Sequence, residues 1–328
     1  MPLPSHKFGP ASREVTKAIM KTRHIVLLVV VLVGVCGPLR AQDGQDSKTY
    51  TYHTDGSLAQ SSRQSAQEVE DIGVIDETGA ATTLREKLRF NVDLRTAYTS
   101  NALLRGNNSS GDELFLPTVE AAFHTALDKH FNFDLDTKVE SAIYSRYQDH
   151  GFAGYSSQAT LDYHIAPGLP RFYTTIEPYR YDSFSGKPVV FDSVNNGHLF
   201  TEAIGFTGGT DWGIALNGGR TLGFLGYSFT DYISDPGIDS RLVHRVVAGF
   251  AHQILSNLTA QLYYVYQYSD FTDFDRSDSK STVSGALIYQ FNDHWYGSWT
   301  TSFINQESSE IHASYLSIST SVGLSLHF

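Results

Sequence analysis

At 328 residues the chain is long enough for one large β domain, and 19 Tyr and 20 Phe against 2 Met favour strands over helices. A formal net charge of −11 argues against a nucleic-acid partner, because an acidic surface repels phosphate. Cys36 is the only cysteine, which excludes an internal disulfide and any Cys-based metal site.

Residues 25–35 (IVLLVVVLVGV) follow Lys21, Arg23 and His24. An apolar run of about eleven residues is too short to span a bilayer but suits a signal-peptide core. Translation is expected to start at Met20 and cleavage to follow Ala41, so residues 1–41 read as a signal peptide. Lipid attachment at Cys36 is the weaker alternative, because Val35 stands where a small residue is wanted. Removing residues 1–41 leaves 18 basic and 34 acidic residues, a net charge of −16. Residues 42–85 are polar and show no sustained period, which predicts a flexible periplasmic leader.

From residue 88 the chain becomes a series of alternating runs, and a period of two means strands with one apolar and one polar face. Leu88, Phe90, Val92 and Leu94 oppose Arg89, Asn91, Asp93 and Arg95. Val119, Ala121, Phe123 and Leu127 oppose Glu120, His124 and Asp128. After an LDKHF turn, Phe131, Phe133, Leu135, Val139 and Ile143 oppose Asn132, Asp134, Asp136, Lys138 and Glu140. Strands are predicted over 155–165, with Asp162 and His164 polar, and over 171–181. Residues 198–233 are blurred by glycines; strands at 198–207 and 219–233 fit best, the glycines marking bends or bulges. Regular alternation returns over 242–254, 258–268, 283–291, 295–303 and 315–328. The total is twelve strands, with ten or fourteen as the alternatives.

Connections alternate between short turns (near 128–130, 166–170, 255–257 and 292–294) and longer polar loops (near 105–113, 148–154, 182–197, 234–240, 270–280 and 305–312). Phe131, Tyr147, Tyr155, Phe172, Phe271, Phe291, Trp295 and Phe328 sit at strand ends and suggest interfacial girdles. Many runs hold 11–15 residues where soluble strands average five or six, and that length suits a tilted strand crossing a bilayer.

The run 315–328 puts Leu316, Ile318, Thr320, Val322, Leu324, Leu326 and Phe328 on one face and ends on the aromatic. It resembles the last strand of Gram-negative outer-membrane β-barrels, and the resemblance covers roughly residues 86–328. The resemblance implies an all-β, antiparallel up-and-down transmembrane barrel in the cell outer membrane, in contact with outer-membrane lipid. It also implies that Leu324, Leu326 and Phe328 form the signal read by the barrel-assembly machinery. Short turns then lie on the periplasmic side and long loops outside.

If the apolar faces meet lipid, the polar faces line a lumen. Arg89, Asp93, Arg95, Glu120, His124, Asp134, Asp136, Lys138, Glu140, Asp162, His164, Glu177, Arg241 and Arg245 are then expected inside. Two outcomes stay open: a narrow porin-like pore for small hydrophilic solutes with a modest cation preference, or a charge network that fills the interior. Catalysis lacks a motif: Asp162 with His164, and His312 with Ser314, share strand faces but have no third partner, and no catalytic residue is assigned. Asp270, Asp273, Asp275 and Asp278 resemble a cation loop in composition but lack the Gly and closing Glu of an EF-hand. They read as a solvated loop. No metal site and no cofactor are expected.

Overall fold

A computed structural model describes residues 50–51, 76–77, 88–102, 110–128, 130–148, 151–165, 169–183, 200–216, 220–235, 240–272, 275–310 and 313–328. The expected signal segment and most of the expected leader lie outside these residues. Within the leader, β1 (Tyr50–Thr51) pairs antiparallel with β2 (Asp76–Glu77).

The remaining strands form one closed antiparallel barrel of twelve. They are β3 (Leu88–Thr99), β4 (Asp112–Ala126), β5 (Phe131–Tyr144), β6 (Phe152–His164), β7 (Arg171–Ser183) and β8 (Phe200–Leu216), then β9 (Thr221–Asp235), β10 (Arg241–Leu255), β11 (Leu258–Phe271), β12 (Arg276–Gln290), β13 (Trp295–Ser308) and β14 (Tyr315–His327). Each strand pairs with its sequence neighbours, and β14 closes the barrel against β3 in the register Ser319↔Thr99 to His327↔Asn91. The backbones of Phe328 and Phe90 extend that seam by two further hydrogen bonds, at 2.9 and 3.4 Å.

Alternation explains the two faces. Leu94, Val119, Val139, Ile143, Phe250, Trp299, Ile318 and Val322 point outward and are exposed, while the intervening parity is largely buried. Strands of 12–17 residues rise about 3.3 Å per residue, and at a tilt near 40° project to roughly 30 Å or more, enough for a hydrocarbon core. Outward polar groups find partners on adjacent strands, which an apolar solvent demands. Trp299 Nε1 donates to Thr320 Oγ1 at 3.2 Å, Thr301 and Thr320 share a hydroxyl bond at 3.1 Å, and Tyr227 and His244 meet at 2.9 Å.

The short turns lie at the end of the barrel where β3 begins and β14 ends, and two are built alike. In the first, Asp128 Oδ1 accepts the backbone N–H groups of His130 and Phe131 at 2.7 and 2.9 Å; in the second, Asn292 Oδ1 accepts those of His294 and Trp295 at 2.9 and 3.0 Å. In each, the His ring nitrogen then reaches a carbonyl on the next strand over, His164 at 2.8 Å and His327 at 3.0 Å. An Asx side chain capping its own turn is the local device that sets the hairpin. Phe131, Phe172, Phe291, Trp295 and Phe328 are exposed at this end and form a girdle.

Two aromatics assigned to girdles by sequence lie elsewhere. Phe271 is on the inward parity and buried, held between two arginine side chains, and Tyr147 packs on the buried interior cluster. The glycine-blurred segment holds two long strands, β8 and β9, where sequence placed the first only to residue 207. Its described glycines sit in strands whose register is unbroken, so they mark no bulge. Gly205 and Gly209 pair in register with Tyr232 and Tyr173, and the tyrosine rings occupy the space a Cβ would need. Gly154 under Tyr181 and Gly249 under Tyr263 repeat the arrangement. Inward tyrosines therefore lie over glycines on the neighbouring strand, along the wall.

Candidate functional site

Every residue expected inside falls on the inward parity. Arg89, Asp93 and Arg95 come from β3, Glu120 and His124 from β4, Asp134, Asp136, Lys138 and Glu140 from β5, Asp162 and His164 from β6, Glu177 from β7, and Arg241 and Arg245 from β10. Arg95, Asp134, Glu140, Asp162, Glu177, Arg241 and Arg245 are buried.

Register sorts these charges into groups. In β5 and its neighbours, His124 pairs with Asp134, and Lys138 Nζ lies 3.0 Å from Glu140. Glu140 also accepts a 2.6 Å bond from the Tyr181 hydroxyl across β6. At the turn end, Arg171 opens β7 and bridges two acids: its Nη1 meets Asp162 at 3.1 Å and its Nε meets Asp211 at 3.0 Å. Its guanidinium also sits 5.4 Å over the Tyr173 ring. Arg95 and Asp93, two positions apart on one face, pair at 2.6 Å.

Sequence reasoning missed Arg171, Asp211, Arg276, Asp278 and Lys280. Arg171 was placed at the start of a strand without a role, and Asp211 lies in the segment whose strands were unsettled. Asp278 and Lys280 were placed in a loop, but β12 begins at Arg276, so both are in a strand and point inward. That disperses the acidic cluster. Asp278 accepts from Arg276 at 2.6 Å, from Ser308 at 2.5 Å and from Gln306 at 3.3 Å, while Asp270 faces outward on β11, Asp275 is in the loop, and Asp273 lies outside the described residues. Among the described residues no three His, Asp or Glu side chains converge to hold a metal ion.

Toward the loop end the interior wall is apolar. Leu114, Leu116, Ala142, Tyr144, Phe152, Tyr179, Tyr181 and Tyr232 pack into one buried cluster. Phe152 meets Tyr181 edge-on at 5.4 Å. Below it on β4, apolar residues change face at Pro117, so Leu114 and Leu116 point in while Val119 and Phe123 point out. The loop end is tied by Asp112, whose carboxylate accepts three backbone N–H groups, from Glu113 at 2.8 Å and from Arg146 and Tyr147 at 3.0 Å.

The interior is unevenly charged around its circumference. On β3–β8 both signs alternate. On β9–β14 the described inward positions are mostly Ser, Thr, Tyr, Gly and aliphatic residues, with cations at Arg241, Arg245, Arg276 and Lys280 and one acid, Asp278. In the strand order, β11 stands six places from β5, so the cationic strip on β10–β12 lies across the barrel from the acids of β4–β6.

Of the enzyme candidates, Asp162 is engaged by Arg171 rather than aligned with His164, and His312 lies outside the described residues. Leu324 and Leu326 face outward on β14, and Phe328 is exposed at the turn end.

Residues 219–328, the last third of the chain, match the family described as Putative beta-barrel porin 2. No curated protein matches the chain. Among solved structures, the translocator domain of the autotransporter NalP from Neisseria meningitidis is 11% identical with a TM-score of 0.45, covering 81% of this chain and 94% of its own. An outer-membrane channel from Pseudomonas putida F1 is 9% identical with a TM-score of 0.49, covering 74% and 95%. The KdgM porin in complex with disordered oligogalacturonate is 10% identical with a TM-score of 0.40, covering 73% and 99%. The chain is a closed antiparallel β-barrel whose last third is similar to a porin family.

Proposed function

We propose that the protein is exported by a signal peptide, assembled in the cell outer membrane of a Gram-negative bacterium, and works there as a narrow channel for passive diffusion of small hydrophilic solutes. One observation carries the reading. A closed barrel with a continuous apolar exterior turns a charged and hydroxyl-rich face inward. Such a face is wasted unless water or a solute meets it. Eight strands are filled by side chains and sixteen leave a broad aqueous channel, so twelve suits a narrow pore. Arg89, Asp93, Arg95, Glu120, His124, Asp134, Asp136, Lys138, Glu140, Asp162, His164, Arg241 and Arg245 are its proposed lining. Leu324, Leu326 and Phe328 are the proposed contact with the barrel-assembly machinery. Planar-bilayer recording of the refolded protein tests the channel: discrete conductance steps support it, and a current no greater than that of protein-free bilayers would sink it.

A second reading has its own observation. The buried tyrosines and leucines at the loop end resemble the packing of a closed barrel that acts through its loops. A barrel that resists SDS until boiled yet never conducts would favour that reading. No catalysis is assigned.

A further inference from the structure

We propose that the wall formed by β10–β12 binds a small organic anion, bearing carboxylate or phosphate groups, as it passes through the barrel. The inference rests on the channel reading above and names the solute class that reading leaves open.

Among the described residues, two cations on this wall have no anionic partner. Arg241 is 3% exposed, and among the described residues its guanidinium meets two aromatic faces, lying 5.8 Å over Tyr232 and 5.3 Å over Phe271, while its Nε has no hydrogen-bond acceptor. Lys280 is 7% exposed, and among the described residues it forms no ion pair. The nearest acid along β12, Asp278, is already committed to Arg276, Ser308 and Gln306. A buried charge is costly unless it is paired, and contact with aromatic faces recovers only part of that cost.

Among the described residues little charge is left to pair them: Glu310, just past β13, is bonded to Arg276 at 3.2 Å. The described inward positions of β9, β13 and β14 include no acid, and Asp278 is the only one on β10–β12. The acids of β4–β6 stand on the far side of the barrel. The cations are also ordered in two levels. Arg241 and Arg276 flank Phe271 in register nearer the loops, and Arg245 and Lys280 flank Gln267 four residues deeper. Two strand spacings separate the members of each pair, about 10 Å, so long side chains from both can reach one small anion between them. A guanidinium fork and a point-like ammonium both take carboxylate or phosphate oxygens. An anion entering at the loops would meet Arg241 first and the Arg245–Lys280 level next.

The test uses the full mature chain, with citrate and inorganic phosphate as probes and mannitol as the neutral control. Calorimetry on the detergent-solubilised barrel reads binding, and bilayer recording reads reduction of the current. Either anion, but not mannitol, should bind and depress the current in a saturable way. The combined Arg241→Gln and Lys280→Gln variant should weaken both effects about tenfold or more, as expected for loss of charge-assisted bonds. Arg241→Lys with Lys280→Arg should keep them largely intact. Arg220→Gln, which removes a positive charge from an exposed turn, should leave them unaltered, and heat-modifiable migration on gels verifies that each variant is folded. Unchanged affinity in the Gln variant, or a conducting barrel indifferent to both anions, would overturn the site while leaving the channel standing. A barrel that binds citrate in solution but never conducts would keep the site and overturn the channel.

Discussion

Replacing Gly154 with alanine should destabilise the barrel by about 2–5 kcal/mol, although it adds a single methyl group. Gly154 is the register partner of Tyr181, and a Cβ there would overlap the ring. The ring must retreat by about 1 Å or more to restore ordinary carbon contact. It has nowhere to go: Tyr181 is 1% exposed, held by Phe152 and Tyr179 at 5.4 Å each, with its hydroxyl 2.6 Å from Glu140. Overpacking costs about 1–3 kcal/mol, and losing a hydroxyl bond to a carboxylate about 1.5–3. Relief of glycine's backbone entropy returns about 0.5–1. Urea titration of the refolded barrel in lipid vesicles measures the difference. Gly208→Ala is the matched control, since a Cβ there meets nothing within 4 Å, and it should stay within about 1 kcal/mol of the parent. In a Tyr181→Ala background the Gly154→Ala penalty should largely vanish. If Gly154→Ala and Gly208→Ala unfold at the same urea concentration, the ring does not sit where the packing places it.

Arg171→Gln leaves Asp162 and Asp211 without their shared cation and should cost about 3–5 kcal/mol by the same titration; adding Asp162→Asn and Asp211→Asn should return most of it. Neutralising Asp134, Asp136 and Glu140 together should move the reversal potential in a salt gradient toward anions, and an unmoved potential removes those residues from the permeation path. Phe328→Ser should lower the heat-modifiable protein recovered from outer membranes several-fold while leaving refolding in detergent intact; equal membrane recovery would free Phe328 of an assembly role. Asn292→Ala removes an acceptor from two turn N–H groups and should cost about 1 kcal/mol, with the equivalent Asp128→Ala costing a similar amount.

Strand number, the direction of each face and closure of β14 on β3 are legible in the sequence, because a period of two survives wherever lipid sets one face. Legibility fails where that pattern is broken for an internal reason. Around residues 200–235 inward glycines interrupt the pattern, and the pairings that explain them join residues on neighbouring strands, such as Gly205 with Tyr232 and Gly209 with Tyr173. Leu114 and Leu116 look like outward residues but fill the interior. Ion-pair partners such as Arg171 and Asp211 are 40 positions apart, so register alone decides who meets whom. Lys280 was hidden because hydrophilic strand residues facing a lumen read like loop.

The closing seam has a further consequence for how the chain folds. Every other strand pair is a neighbour in sequence and can form as a local hairpin, whereas Thr99 and Ser317, bonded at 3.1 Å, are 218 positions apart. Contact order is therefore concentrated in one interface, and loop-closure entropy is paid chiefly there. Until that interface forms, β3 and β14 are open edges with unpaired backbone groups, intolerable in hydrocarbon and prone to pairing with other chains. Closure and burial in the membrane must then be nearly simultaneous, and substitutions confined to the seam should depress the yield of folded barrel far more than they weaken a barrel already closed.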